Sequence, residues 1–323
     1  MRRKTPRRKT LHPKKMPQTN DVRVNTSSDI EQVTASFPFA ACDYARALAT
    51  RSEAFRRQME PDVRELEEEE GIGPDPFGEE DEASGCFGLK QRFPDRVLVM
   101  TSNACFMNCR HCTRKGLLRH AEVVRSDEEL TACVNYVQEH SLVRDVLLSG
   151  GDPLVLPDDE VMRFVRAFAD LPQVDVVRLC TRAPCVNPAR VTRDLAVRLG
   201  RVGKVWANVQ FNHADEVTPE AAEACTNLVN AGVPVSCQTV LLAGVNDSVE
   251  ALLDLFRALQ RARVRPYYVF QCDPVAGVAH FRVPIKKAKR LAQACAEQIG
   301  GLGLPRFVAD IPGSARKMPI ELL

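Results

Sequence analysis

Between residues 97 and 309, short apolar runs alternate with longer amphipathic stretches. The runs Val97–Thr101, Asp145–Ser149, Val174–Cys180, Lys204–Phe211, Pro234–Leu242 and Arg265–Gln271 read as strands, and a shorter one, Arg306–Ala309, follows. From the second run onward the main runs start roughly 30 residues apart, the span of a βα unit. Helical patterning occupies 127–140, 158–170, 188–200, 218–231, 247–262 and 284–299. Thr218-Pro219-Glu220 supplies an N-cap and a proline at the first helical position. Gly232 stands where a glycine is expected just past a helix end. Most strands are apolar enough to be covered on both faces, as in a parallel sheet. The pattern leaves two α/β architectures open, a doubly wound sheet and a barrel, and six units plus a short strand are fewer than the eight of a full barrel. Both place chemistry at the carboxyl ends of the strands.

Upstream the patterning changes. Residues 30–60 read as one or two helices that could cap the main unit. Residues 60–82 hold twelve acids and one arginine, with Gly71, Gly73, Pro74 and Pro76 among them, and read as a linker or mobile surface segment. Residues 1–15 carry eight Lys or Arg and no acid, the composition of a solvated tail. The expected division is a basic tail over 1–29, a helical and acidic extension over 30–95, and a βα unit over 96–323.

Composition narrows the class further. The 323 residues are 45% hydrophobic and 27% charged, which excludes a disordered chain, a collagen-like fibre and a disulfide miniprotein. A net charge of +2 makes no case for a nucleic-acid partner. No apolar run reaches the roughly 20 residues of a membrane helix, and the first 15 residues lack the apolar stretch of a signal peptide. Twelve cysteines with no export signal imply a reducing cytoplasm, where clustered thiols suggest metal.

The strand ends carry such a cluster. After the first strand, Cys105, Cys109 and Cys112 are spaced C-x3-C-x2-C. A loop this tight can aim three thiolates at one centre, as iron–sulfur clusters and zinc sites require. Zinc would want a fourth nearby ligand, and His111 is awkwardly adjacent to Cys112. On a four-iron cluster three thiolates leave one iron open to another ligand. Three thiols that merely pack are the alternative. The second strand ends in Ser149-Gly150-Gly151-Asp152, where paired glycines let the backbone approach a ligand closely.

These two motifs, one βα unit apart, resemble the radical S-adenosylmethionine superfamily. Arg92-Phe-Pro-Asp-Arg96-Val-Leu, Cys112-Thr-Arg114, Leu148-Ser-Gly-Gly-Asp-Pro-Leu154, Phe211-Asn-His213, Gln238-Thr-Val-Leu-Leu, Gly244-Val-Asn-Asp247, Arg265-Pro-Tyr-Tyr and Gln271-Cys-Asp273 run in order. Over roughly residues 35–323 they resemble the lysine 2,3-aminomutase family. The resemblance implies a partial (βα)6 TIM-like barrel with an N-terminal helical extension. It implies a [4Fe–4S] cluster on Cys105, Cys109 and Cys112, with S-adenosylmethionine on the open iron and Ser149, Gly150, Gly151 and Asp152 at its amino group. It also implies pyridoxal 5′-phosphate held by Lys317, with Arg92, Arg96 and Gln238 at its phosphate or ring. Arg114 matches the residue gripping the substrate carboxylate, and Asp273 and Asp310 match the two acids at the ε-ammonium of lysine. Two acids fit a cationic tail and disfavour glutamate.

The implied activity is that of an isomerase, the conversion of L-lysine to β-lysine by a radical 1,2-amino shift begun by a 5′-deoxyadenosyl radical. The alternatives are the same machinery acting on arginine, ornithine or glutamate, or the short type that isomerises lysine for elongation factor P. The implied partners are a small amino acid and an electron donor such as flavodoxin or ferredoxin, with no nucleic acid and no membrane. A homo-oligomer in an oxygen-poor cytoplasm is expected. Phe93 and Phe270 stand where the better-known enzymes tend to have Tyr, and Gln210 where a His precedes the Phe-Asn-His segment. Ser248 replaces a zinc-binding cysteine of longer relatives, so no zinc is expected.

Overall fold

The computed structural model describes residues 25–79, 86, 88–116, 124–314 and 316–323. Most of the expected basic tail therefore lies outside the described residues. Among those described, nine strands form one sheet in sequential order. They are β1 (Leu89–Phe93), β2 (Arg96–Ser102), β3 (Asp145–Gly150), β4 (Val176–Thr181), β5 (Val205–Val209), β6 (Val235–Leu241), β7 (Arg265–Gln271), β8 (Arg306–Ala309) and β9 (Met318–Pro319). β2 through β8 are parallel, while β1 and β9 pair antiparallel at the two ends. This order decides between the two architectures. A doubly wound sheet must reverse its strand order to place helices on both faces, whereas uninterrupted right-handed βα steps put every helix on one face and curl the sheet. The fold is an open, partial barrel of six βα units followed by β8.

The helices follow from local signals. Helix α4 (Asp127–Glu139) starts with a capping box: Ser126 accepts from the Glu129 N–H, and Glu129 accepts from the Ser126 N–H. Helix α5 (Asp158–Ala169) follows β3, and a short α6 (Ala183–Val186) follows β4. Helix α7 (Arg193–Gly200) begins later than the pattern over 188–200 predicts. Pro188–Arg190 form a separate 3₁₀ turn, and Thr192 caps the helix by accepting from the Leu195 N–H. Helices α8 (Pro219–Asn230), α9 (Val249–Arg261) and α10 (Ile285–Ala296) complete the outer layer. Gly232, past the end of α8, takes φ +85°, the left-handed conformation a glycine supplies.

The N-terminal region differs from expectation. Residues 30–60 form three short helices, α1 (Ser27–Ser36), α2 (Asp43–Ala49) and α3 (Glu53–Met59), because Pro38 and the Ser52 N-cap divide the stretch. Ala45, Leu48, Ala49, Phe55 and Met59 join the same core as the barrel strands. The acidic segment is also more than a linker. Glu65 is fully buried and accepts from Arg110 Nε at 2.8 Å, Arg110 NH2 at 2.5 Å and Lys115 Nζ at 2.7 Å. Arg110 and Lys115 flank Cys112, so this charge cluster ties the acidic segment to the cysteine loop. A buried carboxylate needs such partners to offset its lost hydration.

Candidate active site

A cavity of about 370 Å³ opens at the carboxyl ends of the parallel strands. Every site residue expected from the sequence lines it: Arg92, Arg96, Cys105, Cys109, Cys112, Arg114, Ser149, Gly150, Gly151, Asp152, Gln238, Asp273, Asp310 and Lys317. Cys105, Cys109, Cys112, Arg114, Ser149, Gly150, Gly151, Asp152, Asp273 and Asp310 lie at or just past the carboxyl ends of parallel strands, which meet at one rim, whereas Arg92 and Gln238 lie within β1 and β6, Arg96 begins β2 and Lys317 precedes β9.

The cysteine loop follows β2. All three thiols are free. Burial pushes the Cys105 thiol well up, and burial pushes the Cys112 thiol to about 11. Two N–H groups point at sulfur: Arg182 NH1 lies 3.0 Å from Cys109 Sγ, and the Arg114 N–H lies 3.3 Å from Cys112 Sγ. Such donors favour thiolate once a metal displaces the proton. Among the described residues no three His, Cys, Asp or Glu side chains converge on a point able to hold one ion. A cluster does not need this, because each thiolate binds a different iron.

The turn after β3 presses against that loop. The Gly151 N–H donates to Ser102 O at 2.7 Å, and the Asp152 N–H donates to Ala104 O at 2.8 Å. A Cβ on Gly151 would stand 2.1 Å from Ala104 O, so only glycine permits this approach. The Asp152 carboxylate turns into the fold. It accepts from Thr181 Oγ1 at 2.7 Å, the Arg182 N–H at 2.7 Å and the Leu154 N–H at 3.0 Å. It thereby holds the end of β3 against the end of β4.

The remaining charged residues of the cavity come from β1, from the loop after β7 and from the C-terminal segment. Lys317, just before β9, donates to Asp310 Oδ2 at 2.8 Å, and Arg92 NH2 donates to Asp310 Oδ1 at 2.8 Å. Burial pushes the Asp310 carboxyl up, but the Lys317 ammonium and the Arg92 guanidinium outweigh it and hold it below the usual carboxylate range. The Lys317 ammonium also lies 4.6 Å from the centre of the Phe270 ring. Asp273, just past β7, accepts from Thr113 Oγ1 at 2.9 Å. Among the described residues it has no ion pair, and burial raises its carboxyl to about 6. An acid in that state is poised for a cation.

Sequence reasoning missed several neighbours. Arg182 follows β4, where the strand-end rule alone would have flagged it. It is buried and also donates to Gln58 Oε1 at 2.6 Å and Glu216 Oε2 at 3.2 Å. Gln58 and Glu79 come from the N-terminal extension, and nothing in their local sequence signals the cavity. Gln210, the departure from the family pattern, lies 3.0 Å from His111 Nε2. Cys272 adjoins Asp273 but is buried with Leu242, Val245 and Val275.

Residues 99–256 match the model of the radical SAM superfamily. The chain is 37% identical over 297 residues to a putative L-lysine 2,3-aminomutase of Aquifex aeolicus, covering 90% of this chain and 80% of that protein. The chain belongs to the lysine 2,3-aminomutase family. An L-lysine 2,3-aminomutase of Fusobacterium nucleatum is 39% identical over 265 residues, covering 82% of this chain. The present chain spans 62% of that relative's length. A family neighbour of different specificity, the glutamate 2,3-aminomutase of Clostridioides difficile, is 35% identical over 257 residues, covering 79% of this chain and 60% of that protein. The fold is shared with the crystal structure of Streptococcus suis SuiB bound to S-adenosylmethionine, with a TM-score of 0.51 at 14% identity over 68% of this chain and 51% of that chain. Asp310 and Lys317 pair with each other, while Asp273 is tied through Thr113 to the loop that carries the cysteines.

Proposed function

We propose that the protein is an isomerase that moves the amino group of L-lysine from Cα to Cβ, giving β-lysine. The carrying observation is Asp273, a half-buried acid that lines the same cavity as Arg114 and has no ion pair among the described residues. One end of the site would hold a carboxylate and the other an ammonium, the two ends of lysine. Glutamate would set its own side-chain carboxylate against Asp273.

The donor set fits the groups this family implies. Three thiols with one further position open suit a [4Fe–4S] cluster, and the Gly150-Gly151 turn offers backbone to a ligand on the open iron. Arg92 and Arg96 suit a phosphate, and Lys317 supplies an amine within the same cavity. Bound together, the cluster with S-adenosylmethionine and the pyridoxal phosphate supply the radical chemistry. The protein's own residues bind and orient. Arg114 grips the α-carboxylate. Asp273 takes the distal ammonium, and Asp310 joins it when Lys317 is occupied by the cofactor. The Phe270 face and the buried strand ends exclude water, which protects a reactive intermediate from quenching. A one-electron donor such as flavodoxin or ferredoxin, a homo-oligomeric assembly and an oxygen-poor cytoplasm complete the proposal. No helix among the described residues is long and apolar enough to cross a membrane.

The test is anaerobic reconstitution with iron, sulfide and pyridoxal phosphate, then assay with L-lysine, S-adenosylmethionine and a reductant. β-Lysine should form, and Lys317→Ala should lose both product and the pyridoxal absorbance. A four-iron spectrum with no β-lysine would refute the substrate assignment. A pyridoxal absorbance undiminished in Lys317→Ala would refute the role of that lysine.

A further inference from the structure

Glu79 ends the turn Asp75–Glu79 in the acidic segment, and its carboxylate engages Arg114. Arg114 Nε donates to Oε2 at 2.5 Å and NH2 donates to Oε1 at 2.8 Å. Both side chains are largely buried, at 22% exposure for Arg114 and 13% for Glu79. A guanidinium offers two bidentate edges, Nε with NH2 and NH1 with NH2. Glu79 occupies the first. On the second edge NH1 donates to Ser149 Oγ at 3.4 Å, and Arg114 and Ser149 both line the cavity. Glu79, which also lines the cavity, takes the Nε edge, so a substrate carboxylate would meet the NH1 edge beside Ser149.

The turn is built to do this. Asp75 Oδ1 accepts from the Glu79 N–H at 2.9 Å. Gly78 takes φ +62°, which lets the chain reverse before Glu79. Upstream, Gly73 O accepts from the Ala276 N–H at 3.0 Å, tying the segment to the loop after β7. Phe77 lies on the Arg92 guanidinium, 4.5 Å from ring centre to Cζ. One turn thus steadies two arginines of the cavity.

We propose that Glu79 is the positioning residue for the carboxylate-binding arginine, and that the turn Asp75–Glu79 is a wall of the site that sets selectivity for an α-carboxylate. This rests on Arg114 as the carboxylate grip. Removing the Glu79 charge frees the guanidinium to rotate out of register, so the loss falls on binding through the carboxylate and leaves the cluster and the chemical step in place.

The experiment uses the reconstituted holoenzyme as wild type, Glu79→Gln and Glu79→Asp. Each is titrated with L-lysine, L-arginine, L-ornithine and L-glutamate, and with the matching α-carboxamides, by calorimetry and by KM and kcat where turnover occurs. For whichever amino acid the wild type takes, Glu79→Gln should raise Kd and KM about tenfold with kcat within about twofold, at unchanged cluster absorbance. Glu79→Asp should fall between. The carboxamide, having no carboxylate, should bind wild type and variant alike. An unchanged or lowered Kd in Glu79→Gln would overturn the proposal, as would an equal loss on the carboxamide. A wild type that takes arginine but not lysine refutes the lysine reading while leaving Glu79 testable. A wild type that takes none of the four refutes both.

Discussion

Replacing Glu65 by glutamine removes one charge from the centre of a three-residue cluster. Glu65 has no exposed side chain, and its two cations, Arg110 and Lys115, are 1% and 2% exposed. Arg110 has further acceptors in Phe37 O and Pro38 O, and Lys115 in Gly277 O, but these are neutral carbonyls. The Glu65→Gln variant would leave two buried cations without a counter-charge. Breaking a buried pair from one side costs about 3–5 kcal/mol, because the remaining charge stays desolvated. With an unfolding entropy of about 2.1 cal/mol/K per residue over this chain, that lowers Tm by about 4–7 °C. The penalty also depends on pH. Burial brings the Lys115 ammonium down to about 8, against the 10.5 of a free lysine, even with Glu65 beside it. The unfolded chain therefore binds more protons between about 8 and 10.5, and native stability from this group rises with pH through that window. Once Lys115 is neutral, only Arg110 still needs Glu65, so the loss in Glu65→Gln should be smaller at pH 9 than at pH 6. Thermal and denaturant unfolding of the two proteins at both values measures this. A loss under about 1 kcal/mol, or a larger loss at pH 9, would refute the account of the cluster.

The close approach of Gly151 to Ala104 predicts that Gly151→Ala displaces the cysteine loop, so iron bound per chain after reconstitution should fall severalfold while the far-ultraviolet spectrum stays native; full iron loading would show that the turn and the loop do not depend on each other. Asp273 must ionise to hold an ammonium, and burial raises its carboxyl to about 6. Lysine affinity should therefore weaken as pH falls below about 6, with a proton released on binding there, and Asp273→Asn should raise KM by one to two orders of magnitude and abolish that pH dependence; a pH profile unchanged in the variant would assign the titration elsewhere.

What the sequence determined by itself is what depends on neighbours along the chain. Strand β7 and strand β8 begin and end where the apolar runs do, and the N-cap at Thr218 and the glycine after α8 are local devices with local causes. The C-x3-C-x2-C loop and the Gly150-Gly151 turn were legible for the same reason: each is a compact motif at a strand end, where a βα fold concentrates its chemistry. The N-terminal third was read less well. The acidic run over 60–82 has the composition of a solvated segment, and composition carries no record of a partner far away in sequence. Glu65 is buried because Arg110 and Lys115 lie 45 and 50 positions later, and Glu79 faces the cavity because Arg114 does. Asp310 shows the same limit from the other side, since only the fold reveals that Arg92 and Lys317 already occupy its two oxygens. Periodicity encodes which face of an element is buried. Whether a charge on that element meets water or an opposite charge is settled only when distant segments are brought together, because a buried ion is tolerated only with its counter-ion in place.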